Sequence, residues 1–300
     1  MFKKKRHYAF VLVFFIASQI ASAAGAWAPP FTNGSGQEKP EAISLLGKKL
    51  FATPPTGEAL PKLQNALQEA QKKYEANPDD PENCILYGRA LAGLWRYHEA
   101  IAVFTKGIEK HPDYAMLFRH RGHRYITIRE FDKAVVDLTR ASKLNGQDYD
   151  IWYHLGLAHY LKGEFAKAVD AYRQCDKAAK AEDSKISISN WLYIALRRLG
   201  KKDEAQKALD GITEGMKAGE SQAYYNLLFF YKGLKTEQDI EKIAVTDLDK
   251  ATMGYGIGCW HLYNGDKTKA AGYFEKIVEL PYWPAFGAIA AEAELARLKK

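Results

Sequence analysis

Small and bulky apolar residues recur through the middle of the chain with a fixed step of 34 residues. Gly88, Gly122 and Gly156 share that step, as do Ala100, Ala134 and Ala168. The large positions keep the same register: Cys84, Phe118 and Trp152; Tyr97, Phe131 and Phe165; Phe104, Leu138 and Tyr172. A period of this length marks stacked helical hairpins, each too small to bury its apolar face without a neighbour. Glycine and alanine let two helix backbones approach closely, and the aromatic positions fill the wedge between successive hairpins.

The pattern loosens on either side. Upstream, Ile43, Leu46 and Leu50 predict one helix, ended by Pro54, Pro55 and Gly57. Leu60, Leu63, Leu67, Ala70 and Tyr74 then lay an apolar stripe along a second, so residues 41–80 read as a divergent helical pair. Three regular repeats fill 81–182. The Gly163, Ala168, Tyr172 signature returns as Gly200, Ala205, Leu209 and again as Gly265, Ala270, Phe274. That places one longer repeat and one divergent hairpin in 183–248, then a final repeat and a capping helix in 249–300. The capping helix opens at Pro284, and Glu292 and Glu294 are expected on an exposed, solubilising face.

Trp152, Leu155 and Gly156, followed by Ala168 and Tyr172, resemble the tetratricopeptide repeat (TPR) pattern. The first repeat keeps Gly88, Ala100, Phe104 and Pro112. The second keeps Phe118, Gly122, Tyr125, Ala134 and Leu138, but has Gly146 in place of the closing proline and Arg121 in a large apolar slot. Arg121 is therefore expected to pair with a neighbouring carboxylate, because an unpaired buried charge is costly. The resemblance implies an all-α, right-handed α-solenoid of TPR hairpins with a C-terminal capping helix. It is similar to bacterial envelope TPR proteins that act as scaffolds, and it implies neither an enzyme nor a cofactor.

In TPR arrays the first helices line the concave surface side by side, so residues one repeat apart become lateral neighbours. Arg119 and Tyr153 then share one row, Arg89 and His123 the next, and Tyr160 a third. The resemblance thus implies a partner-binding groove with Arg89, Arg119 and His123 as polar anchors and Tyr153 and Tyr160 as apolar ones. A protein or peptide carrying acidic groups or a free C-terminus suits them. The lysine/asparagine clamp of chaperone-binding members is absent, since Ile85, Arg89, His120, Asp150 and His154 occupy its places.

Charge changes the picture only at the N-terminus. Lys3, Lys4, Lys5 and Arg6 precede an apolar run from Tyr8 to Ile20, followed by Ala21-Ser22-Ala23. This is the order of a signal peptide, residues 1–23, with cleavage expected after Ala23 and a flexible linker over 24–40. A periplasmic or secreted protein follows; the alternative is an uncleaved inner-membrane anchor. Removing those four cations lowers the formal charge from +7 to +3, too little for a nucleic-acid-binding domain. Cys84, Cys175 and Cys259 are too few and too far apart for a disulfide scaffold and read as buried thiols.

Catalytic motifs are missing or incomplete. His98-Glu99 lacks the second histidine of a zinc-protease helix, because Ala102 stands there. Gly254, Gly256 and Gly258 read as close helix packing rather than a phosphate loop. Two further readings remain open from sequence. One is a structural or self-associating spacer that uses the aromatic 224–231 helix and the C-terminal cap. The other is a cryptic metal site built from His120, His123 and His154.

Overall fold

A computed structural model describes residues 39–53 and 56–299. The signal-peptide and cleavage expectations, and nearly all of the expected linker, lie outside the described residues. The chain opens with two short antiparallel strands, β1 (Ala42–Ile43) and β2 (Lys49–Leu50), followed by α1 (Ala59–Ala76). Six helical hairpins follow. They are α2 (Pro81–Gly93) with α3 (Tyr97–Lys110), α4 (Ala115–Thr127) with α5 (Phe131–Leu144), and α6 (Tyr149–Lys162) with α7 (Phe165–Ala178). Next come α8 (Glu182–Arg198) with α9 (Lys202–Lys207), α10 (Gln222–Tyr231) with α11 (Glu237–Ile243), and α12 (Asp247–Tyr263) with α13 (Lys267–Val278). A single helix, α14 (Phe286–Leu298), ends the fold, which is an all-α solenoid.

Each regular hairpin is closed by a glycine on its first helix meeting a large side chain on its second. A Cβ placed on Gly88 would lie 2.3 Å from the Phe104 ring, and one on Gly156 would lie 2.6 Å from Tyr172. Gly122 meets Leu138 and Gly258 meets Phe274 in the same way, at 2.7 and 2.5 Å. The recurring glycines are thus explained by contact with the recurring bulky residues. Arg121, in its apolar slot, makes the expected pair, a fork with both Asp137 oxygens at 2.7 and 2.8 Å. The three cysteines are free and buried.

The first helices α2, α4, α6, α8, α10 and α12 pack side by side, and the row curls until α12 also touches α8 and α14 reaches α6. The curl fills the inner face of the later repeats with the chain's own aromatic rings. Trp191 lies 5.4 Å from Tyr160 and 5.9 Å from Tyr255, centroid to centroid.

Three expectations are corrected here. Residues 43–50 form a β-hairpin rather than a helix. Gly47 takes a left-handed φ of 85°, and the Ser44 hydroxyl accepts hydrogen bonds from the Leu46 and Lys48 amides, so local turn chemistry overrides the spacing of Ile43, Leu46 and Leu50. The Glu41 carboxylate then anchors this hairpin by accepting from the Tyr97 and His98 amides at the start of α3.

The second correction concerns α14, which is buried rather than a solvent-facing cap. All nine residues from Gly287 to Leu295 are buried, and the alanine-rich sequence lets neighbouring backbones close in on every side. Gly287 sits where a Cβ would be 2.2 Å from the Ala251 carbonyl oxygen. Glu292 and Glu294, expected outside, are 3% and 1% exposed and paired with Arg129 and Arg198. The third concerns the spacer alternative: Leu227–Tyr231 of the aromatic 224–231 helix lie in the core, as packing within an irregular hairpin requires. The spacer reading thus loses most of both surfaces it requires.

The intra-repeat turns organise the closure. Trp95, Arg129 and Gly163 occupy equivalent positions, all with left-handed backbone (φ 60°, 69° and 84°). Trp95 packs edge-on against Tyr282 and Trp283. Arg129 donates to Glu292 Oε1 and Oε2 at 2.5 and 3.1 Å, to the Trp283 carbonyl at 3.1 Å and to the Thr127 carbonyl. Beside Gly163, Arg297 donates to the Tyr160 and Leu161 carbonyls at the C-terminal end of α6.

Two substitutions separate close packing from mere helix propensity. Gly156→Ala drives a methyl group into Tyr172 and is expected to cost about 1–3 kcal/mol. Gly272→Ala, where a Cβ meets nothing within 4 Å, is expected to stabilise by about 0.5–1 kcal/mol. Urea denaturation of both variants checks the contrast, and equal midpoints would contradict it. Glu292→Gln removes the charge facing Arg129 and is expected to cost about 3–5 kcal/mol on the same assay.

Candidate functional site

The curl leaves one large opening in the first half of the array, a cavity of about 750 Å³. Helix α2 contributes Arg89 and Ala92, and α4 contributes Arg119, His120, His123 and Arg124. Trp95 and Tyr97, from the turn and the start of α3, form one wall, and Tyr282, Pro284 and Phe286 cross it from the C-terminal segment. The repeat register explains the first part of this list. Arg89 and His123 are one period apart, so adjacent first helices present them side by side. Arg124 follows one position on, and α4 turns it towards the Tyr97 ring at 5.5 Å.

Asp150 is the one carboxylate lining the cavity among the described residues, and it pairs with Arg119 at 2.9 Å. Arg119 Nη1 also lies 2.9 Å from His120 Nδ1, while its Nε is buried without a partner. Arg89 and Arg124 form no ion pair among the described residues.

The cations act on one another. Burial, reinforced by Arg119, Arg89 and Arg124, pushes His120 down to about 2. His123 is held well below the ordinary histidine value by burial, then by Arg124 and His154. Burial also lowers Arg124 to about 10, with Arg119 and Arg89 adding to the effect. Arg124 therefore stays charged near neutral pH while the histidines stay neutral. The result is an electropositive chamber with aromatic walls.

Of the five groove residues expected from sequence, Arg89, Arg119 and His123 converge on this cavity, and Tyr153 and Tyr160 do not. Tyr153 is 6% exposed, accepts a hydrogen bond from Trp191 Nε1 at 2.9 Å and is backed by Phe286. Tyr160 is fully buried and accepts from the Tyr255 hydroxyl at 2.7 Å. Both are core because α8, α12 and the C-terminal segment cover the face they occupy. The register did not reveal Trp95, Tyr97, Tyr282 or Phe286 as walls, and Arg124 stood out only as a member of the basic run in α4.

The histidines of the metal reading are otherwise engaged. His123 and His154 pack together with centroids 4.3 Å apart and rings tilted by 42°, and His154 Nδ1 lies 2.6 Å from the Asp150 carbonyl oxygen. Among the described residues no group of three or more histidine, cysteine or acidic side chains is placed to hold a metal ion.

A family model for the tetratricopeptide repeat matches residues 119–182, which run from α4 to the start of α8. This stretch carries tetratricopeptide repeats. The chain is 28% identical over 142 residues to tetratricopeptide repeat protein 13 of Homo sapiens, covering 47% of this chain and 16% of that one. It is 18% identical over 195 residues to anaphase-promoting complex subunit 3 of Schizosaccharomyces pombe, covering 63% and 28%. The chain therefore spans less than a third of either relative. Among solved structures it is similar to YrrB, described as a TPR protein with an unusual peptide-binding site. That match has 18% identity and a TM-score of 0.45, covering 77% of this chain and all of the other.

The buried histidines make a prediction about pH. Because His120, His123 and His154 have folded values below the ordinary 6.5, the unfolded chain takes up protons that the folded chain refuses. Their contribution to stability is full above about pH 6.5 and is lost as the pH falls through that value. Glu41, raised to about 7 by burial, has the opposite sign and destabilises as the pH rises from the ordinary carboxylate value towards 7. In a Glu41→Gln background the urea midpoint is expected to fall from pH 7.5 to 5.5. Adding His123→Phe should flatten that slope, and a pH-independent midpoint in the Gln background would contradict the assignment.

Proposed function

We propose that this TPR protein is an adaptor that captures a protein or peptide partner whose acidic group, a side-chain carboxylate or a free C-terminus, enters the arginine-lined cavity. One observation carries the reading. Arg89, Arg119 and His123, brought into register by the repeat, meet at a single opening that holds one carboxylate for three guanidinium groups. Arginine suits this role because its planar fork can hold a carboxylate through two hydrogen bonds. One relative is a subunit of the anaphase-promoting complex, in keeping with this reading.

We place the mature protein outside the cytoplasm, as a periplasmic or secreted adaptor. The support is the basic, apolar, small-residue order of residues 3–23. N-terminal sequencing of protein recovered from the extracytoplasmic fraction should start at Ala24. A chain still starting at Met1 in the membrane fraction would instead favour the anchored form.

Crosslinking in the native host followed by pull-down tests the capture. The Arg89→Ala, Arg119→Ala double variant is expected to lose the partner, since truncating a central anchor typically costs about 2 kcal/mol of binding. Recovery of every partner at wild-type yield would sink the assignment.

A further inference from the structure

The deep end of the cavity differs from an open peptide groove. Its far wall is the segment Tyr282–Phe286, and that segment is fixed. Trp283 donates its Nε1 proton to the Phe51 carbonyl at 2.9 Å, its own carbonyl accepts from Arg129 at 3.1 Å, and its ring packs against Trp95 and Tyr97. An extended chain entering between α2 and α4 meets this wall instead of running on along the first helices. The volume, about 750 Å³, falls within the few hundred to about 1,000 Å³ typical of small-molecule sites.

The charges in the cavity do not cancel. Three arginines, Arg89, Arg119 and Arg124, face a single carboxylate, Asp150, while His120 and His123 are neutral. The lining keeps an excess of two positive charges, one on Arg124 inside and one on Arg89 at the exposed mouth, and that excess favours a doubly negative ligand. Arg119 Nε is a buried donor without an acceptor, and Arg124 is held against a Tyr97 ring rather than a carboxylate. By contrast, Arg121 forks onto Asp137, and Arg129 forks onto Glu292. A cation left unmatched against aromatic rings in a partly open chamber gains from a ligand that supplies the anion.

We propose that the deep end of this cavity binds a small organic dianion, a phosphate monoester or a dicarboxylate carried on a flat apolar body. The dianion lies between the Arg119 and Arg124 guanidinium groups, and the body lies against the rings of Tyr97, Tyr282 and Phe286. This goes beyond the adaptor reading, because it requires no protein partner. It gives the TPR array a small-molecule site walled on one side by its own C-terminal segment.

Isothermal titration calorimetry of the wild-type chain at low salt, with phenyl phosphate, phthalate and the monoanion benzoate, tests it. At least one dianion is expected to saturate a single site at least about tenfold more tightly than benzoate, as charge-assisted pairing to two guanidinium groups requires. Preference for phenyl phosphate assigns a phosphate ester, and preference for phthalate assigns a dicarboxylate. Arg124→Gln is expected to weaken the preferred dianion about tenfold or more. Ligand-free thermal melting shows whether that variant is folded, and the wild-type comparison with benzoate decides the matter if it is not. The inference is overturned if neither dianion exceeds benzoate, or if folded Arg124→Gln binds like wild type. A lost pull-down with no dianion binding leaves the adaptor reading standing alone. Dianion binding with an unchanged pull-down does the reverse.

Discussion

The Arg129–Glu292 pair holds the two halves of this molecule in one fold. Arg129 sits at the turn between α4 and α5, and Glu292 lies in the middle of α14, 163 positions away in sequence. The guanidinium group also takes the Trp283 and Thr127 carbonyls, and Glu292 also accepts from the Leu45 amide at 3.1 Å. One carboxylate therefore ties the turn of the second hairpin, the N-terminal β-hairpin and the last helix together. Both partners are nearly inaccessible, with side-chain exposures of 3% and 4%. A buried pair of this kind is weak evidence for net stability, because desolvation offsets much of the attraction. Its consequence is positional: α14 packs against α6 and α12 instead of leaving the end of the array open.

That closure turns a groove into a cavity. An open row of first helices would present Tyr153 and Tyr160 to a partner, whereas in the closed form they pack against Trp191, Tyr255 and Phe286. The basic residues then divide into two sets by what they face. Arg121, Arg129 and Arg198 meet Asp137, Glu292 and Glu294 and fasten elements to one another. Arg89, Arg119 and Arg124 share one carboxylate in a chamber of about 750 Å³. The same chemistry is structural where the charges match and available for a ligand where they do not.

Legibility in the sequence follows the range of the contacts. The step of 34 residues records packing within a hairpin and between adjacent hairpins, so the helical pairing, the Gly156–Tyr172 contact and the convergence of Arg89 with His123 could be read from it. Arg121 was legible for another reason, since a charge in an apolar slot demands a partner. The period carries no information about contacts spanning many repeats. Burial of Tyr160 by Tyr255, or of Glu292 by Arg129, depends on how far the row curls, which is set by the summed geometry of all six hairpins. The error at Ile43, Leu46 and Leu50 has a local cause. Helical spacing over eight residues is weak beside a left-handed glycine and a serine that turns the chain back.

Where the repeat departs from its own rule, the departures mark the closure. The turn inside each hairpin requires a left-handed residue, and Gly163, Gly200, Gly233 and Gly265 supply it at little steric cost. Trp95 and Arg129 adopt the same backbone without that freedom, which disfavours the turn by about 1–2 kcal/mol each. They are tolerated because their side chains reach what a glycine cannot: Trp95 reaches Tyr282 and Trp283, and Arg129 reaches Glu292. At Gly163 the reverse holds, because a Cβ would stand 3.3 Å from Arg297 Nε, where that side chain reaches across to the end of α6. Three successive turns thus carry an aromatic, a cation and an empty space, each complementary to a different part of the C-terminal segment. A uniform array would need glycine at all three, so the irregularity of this row is where the sequence encodes its long-range fold.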